Sequence, residues 1–349
     1  MDEIHADLTT GLNLTLARAL QENADGAFLG IQKSGPFDVS GAIARPWLQE
    51  PANPNGQLNS SVLKPYWNGD DVTGRPQDYW LIDLPPRLKE ADASLYVSPF
   101  NHIATTPDDN GKTIQQLREE LAEQAGPRWW EPHRTRPEMR SRIADVHRYI
   151  VTPETAQHRL FVWLCLPTLP DKNLIVIPRD DDTFFGLLHS RFHELWSLRK
   201  GSDLQDRPRY THTSTFATFP FPAGLTPNIP AANYAADPRA VAIAAAAASL
   251  NKLRENWLNP FDLVRREPEV VPGYPDRIVP VSDGAAKALA KRTLTDLYNV
   301  RPAWLDHAHR ELDDAVADAY GWGDDFRAGT LTDDEILGRL FRLNQERAS

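Results

Sequence analysis

The sequence is poor in the residues from which most catalytic and metal sites are built. It has one cysteine, Cys165, and two methionines in 349 residues. A lone thiol excludes a disulfide framework and a cysteine-rich metal centre, and it implies a reducing, cytoplasmic setting. Long apolar runs are missing too. The longest, around 241–250, is about ten residues and mostly alanine, against the roughly twenty that cross a bilayer. No signal peptide opens the chain, so a soluble protein with no membrane partner is expected.

Several catalytic signatures are also missing. The glycines are scattered through loops, with no glycine-rich strand-to-helix turn of the kind that cradles a nucleotide or S-adenosylmethionine. There is no Walker loop, no Ser-centred nucleophile elbow, and no Glu followed two residues later by Lys as in many nuclease sites. An amino-methyltransferase that flips its base needs a short loop of Asn, Asp or Ser, two prolines and an aromatic ring. The adjacent prolines here, Pro85-Pro86, lie between Leu84 and Arg87 and supply neither the polar group nor the ring. The chain is therefore expected to carry no catalytic residue and to bind no cofactor of its own.

What is present is ordinary globular composition, 41% hydrophobic and 25% charged, in a chain long enough for two or three domains. The net charge of −10 argues against a polyanionic partner, but its distribution does not. Residues 1–127 hold 9 Lys and Arg against 18 Asp and Glu, 128–209 hold 14 against 11, and 210–349 hold 15 against 19. Only the middle is basic, and half of the ten histidines lie there. A local basic patch suits placement on DNA; a solvated face with ordinary ion pairs is the plain alternative.

Leu8, Leu12, Leu16 and Leu20 recur at a spacing of four and predict a helix over 7–22. From 28 to about 109, Pro, Gly and Asn with short bursts such as Trp80-Leu81-Ile82 predict strands joined by long loops. Thr113 and Gln116 form a capping-box pattern. Further on, 137–146 reads as helix, 149–151, 160–165 and 174–177 as strands, 183–200 as a helix and 215–221 as a strand. Beyond 225 the pattern is helical. Asp237-Pro238 opens a helix to Trp257, a Pro/Gly-rich loop covers 259–284, and helices follow at 285–298, 302–320 and 333–346, the last capped by Thr332 and Glu335. The expected class is α+β: a mixed α/β domain followed by an all-helical C-terminal domain. The expected divisions are 1–24 as an N-terminal helix, 25–225, 226–284 as helix and linker, and 285–349.

Two constellations could carry chemistry. His189 and His193, followed by Glu194, stand four apart on the predicted 183–200 helix, a spacing compatible with zinc, although the metalloprotease motif places its glutamate between the histidines. Trp196 and Lys200 continue that face, which also suits packing or a phosphate backbone. Arginines and aromatics interleave in Trp129, Trp130, Arg134, Arg136, Arg140, Arg142 and Arg148, and again in Arg207, Arg209 and Tyr210. Arginine contacts phosphates or reads guanine, and aromatics stack on bases; the same residues also serve as surface and core.

Five segments, NPNGQLNSSVLKPYWNGDDVT (53–73), RYIVTPETAQHRLFVWL (148–164), FGLLHSRFHELWSLRKG (185–201), RPRYTHTSTFATFPFP (207–222) and LTDLYNVRPAWLDHAHRELDDAVADAYGWG (294–323), resemble the target-recognition region and helical C-terminal domain of MmeI-like adenine-specific DNA methyltransferases. The resemblance implies a double-stranded DNA partner and a role in restriction-modification or phage defence. Methyl transfer from S-adenosylmethionine to adenine N6 would then belong to a part preceding residue 1. That part would be a separate methyltransferase subunit, or the chain would be a remnant. It also implies base-edge or groove contacts by Asp206, Arg207, Arg209, Tyr210, Thr211 and Thr213. Backbone contacts or scaffold would come from Arg134, Arg140, His158, Arg159, Arg179, Ser190, His193 and Lys200. Gln157 stands where the family usually has lysine, and Leu84-Pro85 where it has Phe-Gly. A metal-dependent hydrolase built on His189 and His193, and a non-catalytic remnant or interaction protein, are the competing readings.

Overall fold

The computed structural model describes residues 13–108, 110–120, 128–201, 203–204 and 207–348. Residues 7–12 of the expected leucine helix lie outside these, and the remainder of it is not helical in the α sense. The chain makes a 3-10 turn at Leu14–Leu16, runs extended through Ala17, and turns again at Gln21–Asn23. Its backbone finds partners elsewhere. Arg18 N–H donates to Asn344 Oδ1 at 3.0 Å, and Leu20 N–H to Ala217 O at 2.8 Å. Leu20 is buried while Leu16 is 61% exposed, so these two leucines share no face.

Strands β1 (Phe28–Leu29), β2 (Asp38–Ser40), β3 (Leu63–Trp67) and β4 (Tyr79–Ile82) are interleaved with helices α1 (Gly41–Leu48), α2 (Gly69–Thr73), α3 (Glu90–Ala93) and α4 (Val97–Thr105). These helices correct the expectation of strands and loops alone. They are short, and Pro46 in α1 and Pro99 in α4 interrupt the periodicity that marks a helix in sequence. Helix α2 starts at a capping box in which Asn68 Oδ1 accepts from Asp71 N–H at 3.1 Å and the Asp71 carboxylate accepts from Asn68 N–H at 2.7 Å. Helix α5 (Ile114–Glu120) begins where the Thr113 and Gln116 pattern places it, with Gln116 Oε1 accepting from Thr113 N–H at 2.9 Å.

Next come α6 (Pro137–Ile143), β5 (Arg148–Pro153), β6 (Val162–Cys165), β7 (Leu169–Pro170) and β8 (Leu174–Ile177), with β5, β6 and β8 on the predicted runs. Two four-stranded sheets result. Sheet I has the order β1-β8-β5-β6 and is antiparallel throughout; sheet II has the order β2-β4-β3-β7, with β3 and β7 parallel. Sheet I separates two apolar cores. Ile150, Ile175 and Ile177 face one, while Tyr149, Val151, Leu174 and Val176 face the other, the period of two expected of a strand. Burial on both faces is why β8 reads as an unbroken apolar run.

The single helix predicted over 183–200 is two, α7 (Asp182–His189) and α8 (Arg191–Lys200). Ser190 is extended between them and its Oγ caps α8, accepting from His193 N–H at 3.4 Å. A short antiparallel ribbon follows, β9 (Asp203–Leu204) and β10 (Arg207–Pro208). The strand expected over 215–221 is replaced by a π-helical turn at His212–Phe216 and further turns. Phe216, Phe219 and Phe221 are all buried, which strict alternation cannot give, and Pro220 and Pro222 have no N–H for a ladder.

Helix α9 (Pro238–Leu258) opens at Asp237, whose Oδ1 accepts from Arg239 N–H at 2.9 Å. The expected loop at 259–284 contains an antiparallel hairpin, β11 (Val264–Glu267) with β12 (Arg277–Pro280). Helices α10 (Asp283–Leu289), α11 (Leu294–Val300), α12 (Ala303–Tyr320), α13 (Gly323–Arg327) and α14 (Asp333–Arg347) complete the chain. The helix predicted over 285–298 is divided because Thr293 Oγ1 caps α11, accepting from Asp296 N–H at 3.0 Å. Residues of α7, α8, α9, α11, α12 and α14 share the first core with sheet I. The fold is α+β, with a helical C-terminal region, and no described helix is long and apolar enough to cross a membrane.

Candidate functional site

One end of sheet I gathers cations that are far apart in sequence. The chain leaves β1 into 30–33, β5 ends at Pro153, and 208–213 crosses beside them. Gln32 and Arg134 exchange backbone hydrogen bonds at 3.1 and 3.0 Å, Glu154 N–H donates to Asn173 O at 2.7 Å, and Tyr210 N–H donates to Glu154 O at 2.7 Å. Arg136 takes a left-handed backbone conformation (φ 56°) that lays its Nε–H on Gly30 O at 3.1 Å. Burial, and then the Arg136 charge, lower the His212 pKa against the opposing pull of Glu154. Arg134 similarly lowers Arg136, behind burial. Residues 134–136 and 209–212, two separate clusters in the sequence, thus form one rim.

Arg134 is exposed and has no ion-pair partner among the described residues. Arg209, also exposed, donates through Nε and Nη2 to Glu154 Oε1 at 2.8 and 2.5 Å. Thr213 faces solvent, and Thr211 Oγ1 caps the π turn by accepting from Ser214 N–H at 3.1 Å. The Arg207 backbone pairs with Leu204, and Asp206 lies outside the described residues.

Tyr210 corrects its expected role as a base reader, because it is fully buried. Its hydroxyl lies 3.1 Å from His193 Nε2, and the Arg159 guanidinium covers its ring at 4.9 Å. Arg159 is itself buried, which lowers its pKa to about 10 and leaves it charged at neutral pH. It donates to Thr152 Oγ1, Pro153 O and Pro208 O at 2.9, 2.6 and 3.1 Å.

The other side chains proposed from sequence are committed to protein partners. Arg140 makes a bidentate pair with Asp83, both bonds 2.7 Å. Arg179 binds Asp181, Pro227 O, Ile229 O and the Tyr234 hydroxyl. Lys200 Nζ donates to Leu14 O at 2.8 Å, and Ser190 is the buried cap of α8. His158 Nε2 and Gln157 Nε2 both meet Asn299 Oδ1, at 2.7 and 2.9 Å. Of the proposed backbone contacts, only Arg134 stands on the rim.

His189 and His193 are also taken. His189 Nδ1–H donates to Phe185 O at 3.1 Å, and its Nε2 accepts from Arg254 Nη1 at 2.7 Å and Phe161 N–H at 3.3 Å. His193 Nδ1–H donates to Leu188 O at 3.0 Å, leaving Nε2 for the Tyr210 hydroxyl. Burial drives the His189 pKa far down and that of His193 to about 3, so both rings are neutral. With both nitrogens of each ring engaged, neither has a lone pair left for a metal.

Beside the rim is a cleft of about 760 Å³ whose carboxylates, Asp38, Asp70, Glu154 and Asp171, outnumber Lys33 and Lys172. An excess of carboxylates over lysines in its lining disfavours an anion inside the cleft. Lys33, Lys172 and His212 were not singled out in the sequence. They reach this place through pairing between distant segments, which no spacing rule reveals, although His212 lies inside a stretch rich in candidate contacts.

No protein-family model matches the sequence, and no curated protein matches it. The architecture, a sheet-containing α+β part with a helical C-terminal region, is shared with a solved restriction-modification enzyme. That structure is MmeI, a type IIL enzyme in complex with DNA, with a TM-score of 0.63, 18% sequence identity, and coverage of 99% of this chain and 39% of that one. The likeness is one of fold, and the chain spans well under half the length of MmeI.

Proposed function

We propose that the chain is the DNA-recognition part of an N6-adenine methyltransferase of a restriction-modification or phage-defence system. It would act with a methyltransferase part that binds S-adenosylmethionine. The observation that carries this reading is the rim at one end of sheet I, where the segments bearing Arg134 and Arg136 and those bearing Arg209 and His212 come together beside an acidic cleft. Such a rim can take phosphates while hydroxyls such as that of Thr213 approach base edges. The fold shared with a DNA-bound restriction-modification enzyme supports it, as do the five resembling segments. The engaged histidines disfavour the hydrolase reading.

The test has two arms. The purified chain should bind duplex DNA with an affinity that falls steeply as salt rises, and transfer no methyl group with S-adenosylmethionine alone. Combined with its cognate methyltransferase part, it should direct methylation to one short site. Salt-independent binding, or none, would instead favour a protein-interaction role.

A further inference from the structure

Among residues 208–213 the side chain turned fully inward is Tyr210, and it lies within a buried polar cluster. Arg159 holds two segments at once. Its Nη1 donates to Thr152 Oγ1 and Pro153 O at 2.9 and 2.6 Å, while its Nη2 donates to Pro208 O at 3.1 Å. The next link is the Tyr210 hydroxyl, 3.1 Å from His193 Nε2. That nitrogen must accept, because His193 Nδ1–H is spent on Leu188 O at 3.0 Å. Phe161 packs against both rings, with centroids 5.6 Å from His193 and 5.8 Å from Tyr210.

A chain of this kind is a poor source of stability. Desolvating a guanidinium, an imidazole and a phenol offsets most of what their hydrogen bonds return, and apolar groups of the same volume would fill the space as well. It does impose direction. In this placement of 208–213 Arg159 makes three hydrogen bonds, both His193 ring nitrogens are engaged and the Tyr210 hydroxyl has a partner. A slip by one residue would take Pro208 O off Arg159 and turn Arg209 or Thr211 inward in place of Tyr210.

We propose that Arg159, Tyr210 and His193 form a register lock. They are positioning residues that fix which side chains of 208–213 face outward, and through those side chains the preference for one duplex DNA sequence over another. The proposal rests on the DNA-recognition reading, and the three residues touch no DNA themselves.

The full chain and its Tyr210→Phe and Arg159→Lys variants decide the matter. Phenylalanine keeps the ring under Arg159 and removes only the bond to His193. Lysine keeps the charge but cannot bridge both segments. Amide hydrogen exchange without DNA is expected to quicken at least tenfold within 208–213 in both variants while sheet I stays protected. In selection from a random duplex pool, enrichment of preferred over shuffled sequences should fall at least tenfold. Affinity for a shuffled duplex serves as the reference to which enrichment is normalised, since Arg134 and Arg136 of the rim lie outside the locked segment. Because enrichment is a ratio measured on folded molecules, a merely structural role would leave it unchanged. Exchange and enrichment equal to the parent chain would overturn the lock. A parent chain that enriches no duplex would overturn the recognition reading instead, and the exchange arm would still decide whether the lock exists.

Discussion

Arg254 on α9 donates through Nη1 to Nε2 of His189 on α7 at 2.7 Å, and through Nη2 to Phe161 O at 2.9 Å. Both side chains are buried, and the pairing ties the long helix of the C-terminal half to the segment that leads into β6. It works only with a neutral imidazole. His189 already donates from Nδ1 to Phe185 O, so a second proton, on Nε2, would face the guanidinium donor to donor.

Arg254→Ala removes the donor to two buried acceptors and leaves a void, and is expected to lower the unfolding free energy by about 3 kcal/mol. Arg254→Met fills the space and lifts the desolvation penalty of the charge, so it should lose less. Denaturant titrations with unchanged m-values would compare them. A methionine variant as unstable as the alanine one would mean that the hydrogen bonds, and not packing, hold this junction.

Stability should rise as pH increases from about 3 to about 6.5. Burial, chiefly, depresses His189 strongly and brings His193 and His309 to about 3. Over that window the unfolded chain binds these protons and the native one does not, so raising the pH favours the native state. Asp313 opposes this. Burial raises it to about 7, aided by Glu194 and resisted by Arg191, Arg301 and the Arg191 N–H bond of 2.7 Å. The native state therefore keeps a proton that the unfolded state releases near pH 4, and this contribution is lost as pH rises to about 7. Of these four groups alone, three histidines against one carboxyl leave a gain of roughly 2.7 kcal/mol per pH unit at its steepest, which Glu194 and Asp71, both raised chiefly by burial, reduce. Asp313→Asn retains an acceptor for Arg191 N–H without the buried charge. It should match the parent near pH 3 and exceed it by about 4 kcal/mol at pH 8; equal stability at both would show that Asp313 is not held neutral.

What the sequence made legible follows its local physics. The strands β5, β6 and β8 carried enough β-branched and aromatic residues to be read directly, and α9 carried both its Asp237 cap and its Pro238 start. What it concealed was decided by distant partners. The 13–23 segment follows hydrogen bonds to Asn344 and to Ala217 and Phe216, and the helix break at Ser190 depends on a serine that reads equally well as a mid-helix residue. At the site, Arg134 and Arg209 were named, but their meeting with Arg136 and His212 requires the Gln32–Arg134 and Thr155–Arg209 bridges. Tyr210 reads in sequence as a base contact because aromatics near arginines look alike whether they stack on bases or on the protein's own guanidinium.

The alanine-rich face of α9 has a use that the structure makes plain. At Gly186 on α7 an added Cβ would lie 2.6 Å from Ile243 Cγ2 and 3.0 Å from Ala247 Cβ. Gly186→Ala should therefore destabilise by about 2 kcal/mol through overpacking, even though alanine favours a helix over glycine. Thermal unfolding checks the sign, and a stabilised variant would mean that the two helices move apart freely.

Arg134 and Arg140 separate contact from brace. Both are arginines of the basic middle segment, and sequence gives no reason to treat them differently. Arg134 is exposed with its charge unneutralised among the described residues, whereas Arg140 is clamped on Asp83 through two bonds of 2.7 Å and on Thr135 O. Arg134→Ala should leave folding stability within about 0.5 kcal/mol. It should reduce the slope of log affinity against log salt for duplex DNA by about 1, because one fewer counterion is displaced. Arg140→Ala should do the reverse, lowering stability by about 2 kcal/mol by stranding Asp83 and leaving the salt slope alone. The contrast is informative whichever way it falls. A slope that responds to Arg140 and not to Arg134 would move the DNA surface off the rim and towards sheet II, where Asp83 follows β4.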